Sequence, residues 1–177
     1  RCRAWFSFPP EAPDYAEGAQ AGTVFFFVGP LLVGEARRAF TIGREKAHPI
    51  SNTATLAADT FDAVFPGFAP QDGEIADRFA AVAAQVDNPF LAEILALRGR
   101  DWDREILKRM EAAERFQLFW SSAAGRSPHL EEEWKFALAL GREHFIRAFY
   151  WRHPAPGLPD ALGEAAVALR HLTLTLE

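Results

Sequence analysis

Phe116-Gln-Leu-Phe-Trp-Ser-Ser122, followed shortly by Ser127-Pro-His-Leu-Glu-Glu-Glu-Trp-Lys-Phe-Ala-Leu138, is the stretch on which the reading of the fold turns. The first segment is a short apolar run rich in aromatics, which predicts a buried strand over 116–120. The second opens with Ser127 as an N-cap and Pro128 as the first helical residue, and carries acids near its start, so it predicts a helix over 127–141. The same alternation continues in both directions. Upstream, 61–65 reads as a strand and 72–86 as a helix with Ile75, Phe79, Val82 and Val86 on one face. Residues 90–94 read as a second strand and 101–113 as a helix carrying Trp102, Ile106, Leu107 and Met110. Downstream, 144–149 reads as a strand, 159–170 as a helix, and the alternating Leu172-Thr-Leu-Thr-Leu176 as a closing strand. Strands alternating with helices predict an open parallel sheet of about five strands with helices on both faces.

Residues 1–46 have a different texture. Trp5-Phe-Ser-Phe8, 22–28, 31–33 and 39–42 are short β-prone runs separated by Pro and Gly turns, which suggests the end of a β-sandwich. So few strands cannot bury both faces, so further strands are expected upstream. The chain opens on Arg1 rather than Met, and it is expected to be a piece of a longer protein. Residues 47–58 are polar and small and read as a linker. The α/β domain then occupies 59–177.

Composition narrows the function. With 49% apolar and 24% charged residues the chain has material for a real core. A formal charge of −5 argues against a general nucleic-acid binder, which needs a basic face. A small-molecule or protein partner is expected instead. The single cysteine, Cys2, permits no internal disulfide and favours a reducing compartment. The most apolar run, Thr23 to Gly34, is shorter than the roughly 20 residues a bilayer demands and is interrupted by Gly29-Pro30. No secretory signal, Walker loop, dinucleotide fingerprint or nucleophile elbow is read. His129, His144, His153 and His171 read as scattered, and no metal site is predicted.

Several segments, in order, resemble the bacterial TIR (Toll/interleukin receptor) pattern. They are Leu97-Arg-Gly-Arg-Asp-Trp-Asp-Arg-Glu-Ile106, the Phe-Trp-Ser of 119–121, the Ser-x-x-Leu-x-x-Glu-Trp of 127–134, and His144 to Trp151 with its proline-rich exit. The match spans roughly two-thirds of the chain. The upstream strands are similar to the β-sandwich that precedes some bacterial TIR domains. The resemblance implies a flavodoxin-like, TIR-like sheet and a cytoplasmic protein of bacterial immunity. The sequence departs from the pattern where the first strand ends. There Phe65-Pro-Gly-Phe-Ala-Pro-Gln-Asp72 replaces the family's Ser-Tyr, and its prolines remove backbone donors. His129 stands where many members have Trp.

Glu133 is the position matching the family's catalytic glutamate, which engages the nicotinamide ribose as the N-glycosidic bond of NAD breaks. A carboxylate suits an oxocarbenium-like transition state. The plain alternative is that Glu131, Glu132 and Glu133 only favour a helix start. At about 100° per residue, Leu130, Trp134, Ala137 and Gly141 form one apolar stripe, Glu132 lies opposite, and Glu133 and Glu131 lie on its two shoulders. Trp120 and Ser121 end the central strand, where ligands of open parallel sheets bind. Trp120 is a candidate to stack on a nucleotide, though its body reads as core, and Ser121 is a candidate to bond ribose. Gly67 and Phe68, after the first strand, are candidates to line the same edge, as against a plain turn. Glu93 matches an acidic position of the family. Arg98, Gly99, Arg100 and Trp102 correspond to the TIR loop that reaches a neighbouring domain; the alternative is a solvated turn.

Two functions compete on this reading. One is an NAD+ glycohydrolase that yields nicotinamide and ADP-ribose or a cyclic form and is activated by self-assembly. It uses no metal or separate cofactor, since NAD is the substrate. The other is a non-catalytic interaction module that binds other TIR domains, with the upstream β region acting as a sensor or docking to a sister subunit. Neither reading calls for nucleic acid or membrane.

Overall fold

The computed structural model describes residues 3–7, 18–42, 58–86, 88–97, 104–165 and 167–172. Two sheets organise them. The first is antiparallel, with strands β1 (Arg3–Ser7), β2 (Gly18–Val28), β3 (Leu31–Ile42) and the two-residue β4 (Asp59–Thr60) in sequential order. Gly29-Pro30 turns β2 into β3; Gly29 takes φ 55°, a conformation only glycine adopts freely at the first position of such a turn. The two short strands expected over 31–33 and 39–42 are one continuous strand, because the intervening residues keep the ladder from Gly34↔Phe26 to Arg38↔Gly22. A bulge falls between Phe26 and Phe27.

The second sheet is parallel and holds four strands, β5 (Val64–Gly67), β6 (Arg115–Phe119), β7 (Ile146–Tyr150) and β8 (Leu169–His171), again in sequential order. The molecule is thus α/β, with an antiparallel and a parallel sheet. Pro66 lies in β5, and β5 is an edge strand, which is where a sheet tolerates a residue with no N–H.

The second strand expected over 90–94 is a helix. Helix α1 is Gly73–Ala83, and α2, Pro89–Leu97, occupies the place of that strand. Asn88 decides the matter. Its side chain accepts from Leu91 N at 3.0 Å, so Asn88-Pro89 is a cap followed by a preorganised first residue. A short apolar run has no period strong enough to separate strand from helix by itself. Helix α2 contacts β5, and its Leu91 enters one core while Ile94 enters the other. It therefore shields an edge that a fifth strand would have paired.

Helices α3 (Arg104–Ala112) and α4 (Pro128–Ala139) match expectation closely. The last helix does not: α5 is only Asp160–Glu164. Leu169, Arg170 and His171 instead form β8 against Ala148, Phe149 and Tyr150, so the closing strand comes earlier than expected. Of the stretch expected to form it, 173–176 lies outside the described residues, as does the expected linker up to residue 57.

Each face of the parallel sheet has its own core. On one face Phe116, Leu118, Ile146 and Ala148 meet Met110 of α3, Leu130 and Trp134 of α4 and Leu162 of α5. On the other, Phe119 and Phe149 meet Ile75 and Phe79 of α1 together with Phe25, Phe27, Leu31 and Leu32 of the first sheet. Phe149 is packed edge-on by Phe25 and Phe27, at 5.8 and 5.4 Å between centroids. The β2–β3 hairpin is thus one of the layers covering the parallel sheet. Among the described residues no helix is long and apolar enough to cross a membrane.

Candidate functional site

Helix α4 sets the first side chain of the site. The Ser127 side chain accepts from Leu130 N, Pro128 opens the helix, and the stripe Leu130, Trp134 and Ala137 is buried against the sheet. Of the three consecutive glutamates, Glu131 is exposed and pairs with Lys135 at 2.6 Å, Glu132 is exposed, and Glu133 is buried at 8% exposure. The shoulder position read from the helical period is therefore the inward one for Glu133 and the outward one for Glu131.

The C-terminal ends of the parallel strands supply the rest. Gly67 ends β5 in close packing: a Cβ there would lie 2.5 Å from the Phe116 ring and 3.2 Å from Leu130 Cδ1. Its glycine lets helix α4 and strand β6 close onto β5. Trp120 follows β6, is 3% exposed, and donates from Nε1 to Gly157 O at 2.8 Å, so its body is core and its polar edge is fixed by the β7–α5 connection. Gly67 and Trp120 thus pack into the core under α4, where Trp120, Leu130 and Trp134 belong to one cluster, while Glu133 is buried on α4 itself.

Ser121 comes next and is held by three bonds. Its hydroxyl donates to Asp72 Oδ2 at 2.7 Å and accepts from Ala123 N and Ala124 N at 3.1 and 3.0 Å. Asp72 is 5% exposed, and burial pushes its carboxyl above the usual range, against the Ser121 bond and the charge of Arg152. Beside it, Glu74 accepts from Trp151 Nε1 and pairs with Arg152 at 3.1 Å. Burial raises the Glu74 carboxyl, but these bonds and the Arg152 charge outweigh it and hold the pKa low. The ends of β5, β6 and β7 are thereby tied together by polar contacts.

Two expected site residues lie elsewhere. Phe68 turns into the opposite core, 5% exposed and stacked on Phe79 at 6.0 Å. Glu93 sits on helix α2 rather than at a strand end, and pairs with Arg109 of α3 at 2.6 Å. Arg98, Gly99, Arg100 and Trp102 lie outside the described residues.

Sequence reasoning missed Asp72, Glu74 and Arg152. An Asp directly before a helix reads as an N-cap, yet Asp72 makes no capping bond and spends its carboxylate on Ser121 instead. Only the pairing of β5 with β6 brings the two together. The histidines also need correction. His153 and His171 are stacked at 4.7 Å and 24°, with Tyr150 edge-on to both, because the β7–β8 pairing joins residues distant in sequence. Lone pairs lie in the ring planes, so rings stacked in this way do not converge on one ion. Among the described residues, no group of three or more His, Cys, Asp or Glu is placed to hold a metal ion.

No protein-family model, curated protein or solved structure matches this chain.

Proposed function

We propose that the chain is a TIR-like NAD+ glycohydrolase in which Glu133 is the carboxylate that engages the nicotinamide ribose. The observation that carries this reading is the position of Glu133 on its helix. Of three consecutive glutamates it alone is buried, on a helix packed against the parallel strands, while its neighbours face water. A desolvated carboxylate beside a nascent oxocarbenium ion acts more strongly than one in water. The products are nicotinamide and ADP-ribose or its cyclic form, and NAD is the substrate rather than a resident cofactor. On this reading the parallel strands form a flavodoxin-like, TIR-like sheet in which α2 stands in for a fifth strand. The Arg98–Trp102 loop joins neighbouring copies on activation, in a cytoplasmic protein of bacterial immunity.

A second reading has a specific observation in its favour. The groups expected to grip the nucleotide are engaged in packing: Phe68 and Trp120 are buried, and Ser121 is bound to Asp72. A module that only associates with other TIR domains has no need of an open crevice. Nicotinamide release by wild type and Glu133→Gln, measured while self-association is followed by sedimentation, separates the two. Release by wild type, reduced about 10²–10³-fold or more in the variant, supports the enzyme. Association of both proteins with release by neither supports the module.

A further inference from the structure

Three adjacent parallel strands place an arginine on the face that meets the first sheet: Arg115 on β6, Arg147 on β7 and Arg170 on β8. All three gather around one carboxylate, Glu35 of β3. Arg147 binds it bidentately, from Nε to Oε2 at 2.7 Å and from Nη2 to Oε1 at 2.6 Å. Arg115 Nη2 reaches the same Oε1 at 3.3 Å. Arg170 lies with its guanidinium 5.0 Å over the Phe25 ring, and its one hydrogen bond among the described residues goes to the carbonyl of Ala168 at 3.0 Å.

The charges do not balance. Among the described residues, three guanidiniums face one carboxylate, which leaves two positive charges at a seam where Glu35 is 2% and Arg147 7% exposed. Arg147 and Arg170 repel, and burial followed by that repulsion lowers the Arg170 pKa despite the pull of Glu35. Buried charge of one sign is costly unless it is met by a counter-charge. Both oxygens of Glu35 are already committed to Arg147. Arg115 Nε is buried with no hydrogen-bond partner among the described residues. Among the described residues Arg170 is only partly buried and β8 is the last strand of its sheet, so the Arg170 end of the seam is the one a ligand would enter.

We propose that Arg115, Arg147 and Arg170, flanking Glu35 between the two sheets, form a binding site for an oxyanion of the phosphate class. A tetrahedral dianion carries the two missing negative charges and offers acceptors to several planar guanidiniums at once, which one more carboxylate does less well. The site lies on the opposite face of the parallel sheet from helix α4, which carries Glu133, and does not depend on the NAD reading. Free phosphate and a phosphorylated small molecule share this chemistry.

The test is thermal unfolding of the full 177-residue chain with inorganic phosphate titrated in, at an ionic strength held constant with chloride. The expected result is a saturable rise in the midpoint for wild type and none for Arg170→Gln. In chloride alone Arg170→Gln should melt no lower than wild type, because the substitution removes one of two repelling charges. Arg170→Lys keeps the charge without the planar fork and should bind about tenfold more weakly. It also provides the comparison if the Gln variant does not fold. Repeating the titration with a sugar phosphate distinguishes free phosphate from a phosphorylated metabolite as the preferred occupant. No saturable response in wild type, or an equal response in the substituted proteins, would overturn the proposal.

Discussion

At the scale of single residues, two buried carboxylates answer pH in opposite directions. Glu35 is buried, which alone raises its pKa, but its bonds and charge interactions with Arg147 and Arg115 outweigh burial and hold it below the usual range. A carboxylate whose folded pKa is depressed contributes stability that is present above its unfolded pKa and is lost as pH falls through the folded value. Glu35→Gln should therefore destabilise the fold by about 3–5 kcal/mol at neutral pH, since it leaves buried arginines without their counter-charge. Urea unfolding at pH 7 and again in the acid range should show that gap shrinking as pH falls. Asp72 has the reverse sign. Its folded pKa is raised, so its ionised form costs stability at neutral pH, and the cost is relieved as pH drops through the folded value. Asn at this position still accepts the Ser121 hydroxyl without carrying charge. Asp72→Asn should melt at or above wild type at pH 7, and the two proteins should converge toward pH 4; a clear loss at pH 7 would show that the charge itself is needed.

At the scale of elements, the contacts joining one strand or helix to the next decide the arrangement. Gln117 of β6 is fully buried, donating to Pro30 O at 2.7 Å and accepting from Leu32 N at 3.0 Å, so it pins the β2–β3 turn to the parallel sheet. Gln117→Leu strands two backbone groups at about 1–3 kcal/mol each, which chemical denaturation would register. Gly67→Ala drives a methyl into Phe116 and Leu130 and should cost about 1–3 kcal/mol by overpacking, with the loss visible in the same measurement. What sequence reveals at this scale follows from how local the signal is. Helix α4 is legible because its cap, its proline and its apolar stripe all lie within one segment; the same period puts Glu131 and Glu133 on the two shoulders of the stripe, and only the packing of α4 decides that Glu133 is the buried one. Helix α2 was misread because nine apolar-rich residues fit either period and the deciding bond comes from the Asn88 side chain. The Asp72–Ser121 bond and the His153–His171 stack were invisible because strand pairing, not spacing, creates them.

At the scale of the whole molecule, the first sheet and the parallel sheet share a core. Phe25, Phe27, Leu31 and Leu32 cover a sheet face whose own residues include Phe119 and Phe149, with Gln117 and Arg147 as polar anchors. Alternation of strands and helices revealed the parallel sheet, but nothing in residues 1–46 announced which surface they would cover. A chain beginning at residue 59 should accordingly expose that face. It should aggregate or bind a hydrophobic dye under conditions where the full chain is folded and monodisperse, and a cooperative unfolding transition in it would contradict the shared core. The functional account rests on one carboxylate among three neighbours. The most direct test is nicotinamide release by wild type beside Glu131→Gln, Glu132→Gln and Glu133→Gln, with each variant's unfolding midpoint measured in parallel. The account predicts that all four proteins fold and that only Glu133→Gln loses release. Full release by a folded Glu133→Gln would contradict it.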